Sequence, residues 1–82
     1  MHELALARDI VDQVNAVIAR ERLEGVTRVV LELGTEAGVE VDALRFGFQV
    51  AVRDTLLQSA VLEIERVANS HEVRVKAIDG RA

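Results

Sequence analysis

Apolar side chains recur at two different periods along the chain, and the change of period divides it into elements. In residues 4–22, LALARDIVDQVNAVIARER, Ala7, Ile10, Val11, Val14, Val17 and Ile18 follow steps of three and four. That spacing puts them on one helical face, with Arg8, Asp9, Asp12, Gln13, Asn15 and Arg20 on the other. No proline interrupts the run, and Gly25 stands where a helix would end. The period then drops to two. In VTRVVLEL (26–33) the β-branched content is high, and Thr27, Val29, Leu31 and Leu33 would share one face, opposite Arg28, Val30 and Glu32. The bracketed GTEAG of 34–38 reads as a loop.

Helical spacing returns in VDALRFGFQVAVR (41–53), where Val41, Leu44, Phe48, Ala51 and Val52 line up and Phe46 and Val50 add apolar surface elsewhere. Glu40 and Asp42 complement the dipole at its start. Gly47 in its middle costs on the order of 1 kcal/mol against alanine, so close packing is expected there. The last third alternates again. Leu62 and Ile64 alternate with Glu63 and Glu65, and Val73, Val75 and Ala77 with Arg74 and Lys76. The polar link Ala68-Asn69-Ser70-His71 between them suggests a hairpin. Its strands would pair Glu63 and Glu65 with Arg74 and Lys76. The stretch from the first strand through the second helix to the second strand is long enough for a parallel crossover. The expected fold is α+β in the order αβαββ, with two helices on one face of a three-stranded mixed sheet. It should form a single domain over residues 1–82.

Composition changes this picture little. Half of the 82 residues are hydrophobic, but only Phe46 and Phe48 are aromatic, so aliphatic side chains must fill the core. A domain of this size buries only about 60% of its unfolded surface. The net charge of −4 and the absence of a basic run oppose binding to nucleic acid or to an anionic membrane. No apolar stretch approaches the ~20 residues of a membrane span, and no charged segment leads into a cleavable signal. A cytoplasmic location is the expectation. With no cysteine, neither a disulfide nor a thiolate zinc site is available.

Catalytic constellations are scarce. Ser59 and Ser70 fall in expected loops without a flanking nucleophile motif, and no phosphate loop, GxGxxG or HExxH is present. The chain does not read as an enzyme. Glu63 and Glu65 read as solvated charges on an open strand face. His71 lies in a turn with no second ligand near it in sequence. His2 differs by position. The amine of Met1, the next amide nitrogens and the His2 imidazole together form five- and six-membered chelate rings around one ion. Such nitrogen donation selects Ni(II) or Cu(II) over Zn(II), Mg(II) or Ca(II). Glu3 would add a carboxylate, and Glu40 is a further candidate if the second helix begins close by. On spacing alone, an N-terminal Met-His is an unspecific signal.

Three strings add to it. MHELALARDIVDQV, VTRVVLELGTEAGVEVDALRFGFQV and TLLQSAVLEIERV occur in this order, and EVRVKAI follows as a last strand. Together they resemble the HypA family of hydrogenase nickel-incorporation proteins, including its HybF-type relatives, over nearly the whole chain. The resemblance implies a metallochaperone that binds Ni(II) through Met1, His2 and Glu3. His2 would be the indispensable ligand through imidazole and amide, Glu3 would contribute amide or side chain, and Met1 its amine. A bulky second residue should protect Met1 from removal. The implied partners are a HypB-type GTPase, the large subunit of [NiFe]-hydrogenase and, in some bacteria, urease maturation proteins.

One departure is large. The family inserts a zinc domain built on two CxxC pairs between its last two strands. Here Val67 reaches Glu72 through four residues, and no cysteine exists. No zinc is therefore expected, and either a short natural member or an excised zinc domain fits. The rival expectation is a metal-free interaction module that keeps the fold and docks on a partner or on itself, since a small sheet leaves two open edges for homo-oligomer formation.

Overall fold

A computed structural model describes residues 2–82. The element order is α1 (Glu3–Glu21), β1 (Gly25–Gly34), α2 (Val41–Ala51), β2 (Val61–Val67) and β3 (Val73–Arg81). This is the expected αβαββ order with a mixed three-stranded sheet. The strands lie in the order β2-β1-β3, with β1 parallel to β2 and antiparallel to β3.

The expected hairpin does not form. β2 and β3 are antiparallel in direction, but β1 lies between them as the central strand. The reason is burial. β1 has an apolar or partly buried residue at almost every position, which suits a strand flanked on both sides. β2 and β3 carry a charge at alternate positions and tolerate an open edge. The link 68–72 therefore steps over the end of β1. Gly34 N–H donates to the Glu72 carbonyl at 2.8 Å, Thr35 N–H to Val67 at 2.9 Å and Glu36 N–H to Ser70 at 2.9 Å. A Cβ on Gly34 would overlap the Ser70 carbonyl, so this crossing requires glycine.

Four details differ from the periodicity. Helix α1 ends at Arg22, which takes the left-handed conformation at φ 54°, and Gly25 instead opens β1. Helix α2 ends at Ala51, leaving Arg53 beyond it. A bulge between Val26 and Arg28 sets Thr27 out of register, so Val26 and not Thr27 enters the core. Opposite Val30 and Leu31, β3 carries a second irregularity at Lys76. Past it, Ile78 packs on the core and Ala77 is exposed.

The core forms where α1 and α2 lie over one face of the sheet. It is built from Ala7, Ile10, Val14 and Ile18 of α1, Val29 and Leu31 of β1, Leu44 and Phe48 of α2, and Leu62 of β2. Leu57, in the connection before β2, is fully buried with them. No periodic pattern marks that residue. Thr55 Oγ1 accepts from the Leu57 N–H at 3.1 Å and donates to the Val52 carbonyl at 2.7 Å, which turns the chain inward there.

The opposite sheet face is a lattice of ion pairs. Arg28 bridges Asp79 at 2.7 Å and Glu63 at 3.3 Å, Lys76 reaches Glu65 at 2.9 Å, and Arg74 pairs with Glu32. Of the four cross-strand charge partners expected, only Lys76 and Glu65 pair with each other, because the intervening β1 supplies Arg28 and Glu32 to the others. Glu32 and Glu65 are direct neighbours across β1 and β2, and each is neutralised from β3.

Candidate metal-binding segment at the N-terminus

The first helix begins at the residue that the sequence singles out. His2 is extended at φ −84° and ψ 96°, and its carbonyl accepts the Leu6 N–H at 3.0 Å, which makes it the N-cap of α1. Its side chain makes no capping hydrogen bond, and the residue is exposed. The amides that open a helix have no carbonyl four residues back to bond. An exposed imidazole thus stands beside main-chain N–H groups that make no helical bond, so losing their protons to solvent as a metal ion bound would break none. That donor set suits a Ni(II)-type cargo. Met1, the third expected member, lies outside the described residues.

Glu3 is held in a different way. Its Oε2 accepts the backbone N–H of Glu40 at 3.0 Å. That bond foremost, then the residue's own N–H, with a smaller contribution from the nearby His2, holds the Glu3 carboxyl below the usual carboxylate range. Glu40 is the N-cap of α2, with its carboxylate accepting from Asp42 N–H at 3.3 Å and Ala43 N–H at 2.6 Å. The starts of the two helices are therefore fastened together, and α2 does begin close to His2 and Glu3.

Gly47 secures the same junction one turn further on. A Cβ there would lie 3.3 Å from Leu4 Cα and from Ala7 Cβ, and 3.4 Å from the Glu3 carbonyl oxygen. The expected close packing at this glycine is thus the approach of α2 to the first turn of α1. Beside the junction, Leu4 and Phe46 are large apolar residues left exposed, Phe46 by 67%.

The remaining candidates separate. His71 sits on the link over the end of β1, where its Nδ1–H donates to the Glu36 carbonyl at 3.0 Å. Among the described residues no three His, Asp or Glu side chains converge into a cluster able to hold a metal ion. Ser70 Oγ accepts from the Glu72 N–H at 3.1 Å and so shapes the link. The Glu3–Glu40 bond has no signal in the sequence, where Glu40 stands out as an acidic residue before a helical run and as a further candidate ligand. Among the described residues no helix is long and apolar enough to cross a membrane.

The αβαββ fold, with two helices on one face of a mixed three-stranded sheet, defines a class of small α+β domain. The chain belongs to one family within it: the HypA family, described as hydrogenase/urease nickel incorporation metallochaperones, matches residues 1–76. Hydrogenase maturation factor HypA of Chloroflexus aggregans is 45% identical over 67 residues, spanning 82% of this chain and 59% of that one. The protein of the same name from Roseiflexus sp. strain RS-1 is 48% identical over 67 residues, spanning 82% and 54%. The chain thus spans little more than half the length of these relatives. The solution structure of the Ni metallochaperone HypA from Helicobacter pylori superposes with a TM-score of 0.86 at 14% identity, covering 100% of this chain and 99% of that one. At that identity the likeness is one of fold.

Proposed function

We propose that this chain, acting as one domain, binds Ni(II) through Met1, His2 and Glu3 and hands it to the maturing large subunit of [NiFe]-hydrogenase, with a HypB-type GTPase as partner. Urease maturation is the parallel outlet. The observation that carries this reading is His2: its imidazole is exposed, makes no capping bond and stands at the mouth of the α1–α2 junction. Family membership supports the identity of the metal. Glu3 contributes its amide most simply, because its carboxylate is already engaged by the Glu40 N–H. Glu40 likewise spends its carboxylate on the first amides of α2. No zinc site accompanies this one, since the chain has no cysteine to build the family's thiolate centre.

The test is a nickel titration by calorimetry on protein with an untagged N-terminus, beside His2→Ala. The expected result is about one Ni(II) per chain for the parent and loss of binding in the variant. Equal binding by both, or none by either, removes the metal reading.

A second reading has its own observation. β2 and β3 are both edge strands, and Phe46 and Val61 are exposed by 67% and 62%. A metal-free docking or self-associating module would use those surfaces. Sedimentation of the parent and His2→Ala separates the readings: that role predicts association in both, without nickel.

A further inference from the structure

The connection from Thr35 to Glu40 is fastened at both ends, and each end reaches a different part of the molecule. At its start, Thr35 N–H donates to the Val67 carbonyl and Glu36 N–H to the Ser70 carbonyl, both at 2.9 Å. In return, Asn69 N–H donates to Thr35 Oγ1 at 3.2 Å and His71 Nδ1–H to the Glu36 carbonyl at 3.0 Å. Gly34, just ahead, takes the Glu72 carbonyl and has no room for a side chain under Ser70. At its other end, Glu40 N–H donates to the Glu3 carboxylate. Between the two, Ala37 N–H closes a turn on the Gly34 carbonyl at 3.1 Å, Gly38 holds φ at +71°, and Val39 packs on the core. Little slack is left in six residues pinned in this way.

We propose that the Thr35–Glu40 connection couples the N-terminal segment to the β2–β3 link, with Glu3 as the positioning residue at one end and Glu36 as the reporter at the other. What binds at the N-terminus is thereby felt at residues 67–72, more than sixty positions away in the chain, and the converse holds because coupling between two sites is reciprocal. The nickel part of this inference rests on the function proposed above. The mechanical part does not, because it concerns a carboxylate–amide bond present in the metal-free chain. Coupling of this kind requires that the connection pass between two arrangements, seated at both ends as here or released at one, and not mere proximity.

Amide hydrogen exchange tests this on the full chain. The reporters are the N–H groups of Gly34, Thr35, Glu36 and Asn69, all bonded across the link. The Val26 N–H, bonded to the Leu56 carbonyl at 3.1 Å at the far end of β1, is the control. Without metal, Glu3→Ala removes the acceptor for Glu40. It is expected to speed exchange at the reporters by about fivefold, the lower end of ordinary coupling, with Val26 unchanged. Glu3→Gln keeps an acceptor oxygen and is expected to restore most of the protection. Acceleration confined to residues 2–6 and 40–43, or equal acceleration at Val26, overturns the coupling. A second arm adds Ni(II) to the parent, with binding read by calorimetry in parallel. If nickel binds, the reporters must shift, and bound nickel with unmoved reporters also overturns the proposal. If nickel does not bind, the function proposed above fails, and the Glu3→Ala arm alone decides the coupling.

Discussion

Single residues in this chain are chosen by what crowds them. Gly34 and Gly47 are both buried glycines, yet they do different work. Gly34 lies under the backbone of Ser70, which a side chain cannot push aside without moving the link. Gly34→Ala should cost about 2 kcal/mol or more, as for overpacking against a fixed neighbour, read from urea denaturation. Gly47 offers a finer balance. Alanine in mid-helix gains about 1 kcal/mol of propensity. The new methyl, however, would sit 3.3 Å from Leu4 Cα and Ala7 Cβ, neither of which can rotate away. We expect Gly47→Ala to lose the propensity gain and to come out destabilising by about 1 kcal/mol, because α1 must shift as a body. The same urea titration checks it, and a clear stabilisation would mean that the helices separate easily. Arg22 shows the opposite case. It holds φ at 54° with only a helix end to justify it. Glycine is at ease there, so Arg22→Gly should raise stability by about 0.5 kcal/mol, measured as a higher urea midpoint.

At the scale of elements, what the sequence made legible depends on whether the signal was local. Both helices are visible because a stripe such as Ala7, Ile10, Val14 and Ile18 needs only its own period to be read. The strands are visible too, and so is the parallel crossover, because a helix separates β1 from β2. Strand order is not visible. The link 68–71 has the length of a hairpin turn, and only the nearly continuous burial of β1 shows that this strand takes the centre. Faces fail wherever a bulge resets the alternation, so Thr27 and Ala77 were misplaced while Val26 and Ile78 entered the core. Leu57 escaped notice because a single apolar residue in an irregular connection has no period at all. It makes a strong test of the core: Leu57→Ala should cost about 3 kcal/mol, comparable to truncation in a helix, visible as a lowered urea midpoint. Of the candidate site, His2 and Glu3 stand out in the sequence by their place among the first residues and by the family resemblance. The bond from Glu3 to the Glu40 amide was not, since it joins residues 37 apart through packing of two helices.

At the scale of the whole molecule, the link 68–72 joins the two edge strands across the end of the central one. The sheet does not depend on it for strand pairing, since β2 and β3 each bond β1 and not each other. What the link supplies is closure: two backbone bonds, Glu72 accepting from Gly34 and Ser70 from Glu36, and a short loop between two fixed strand ends. Its replacement by a longer flexible segment therefore has a bounded cost. Doubling a loop costs only about 0.6 kcal/mol in closure entropy, so a fivefold longer link costs about 1.4 kcal/mol by the same logarithm. Losing the exposed bonds to Ser70 and Glu72 adds about 0.5–1.5 kcal/mol for each one not remade by water. Inserting twenty Gly/Ser residues between Asn69 and Ser70 should thus lower stability by about 2–4 kcal/mol and leave the fold intact. Urea denaturation with a far-ultraviolet circular dichroism readout checks both parts. A cooperative transition at a lower midpoint with an unchanged folded spectrum is the expected outcome. Loss of the transition would mean that the link, and not the central strand, holds the two edges in place.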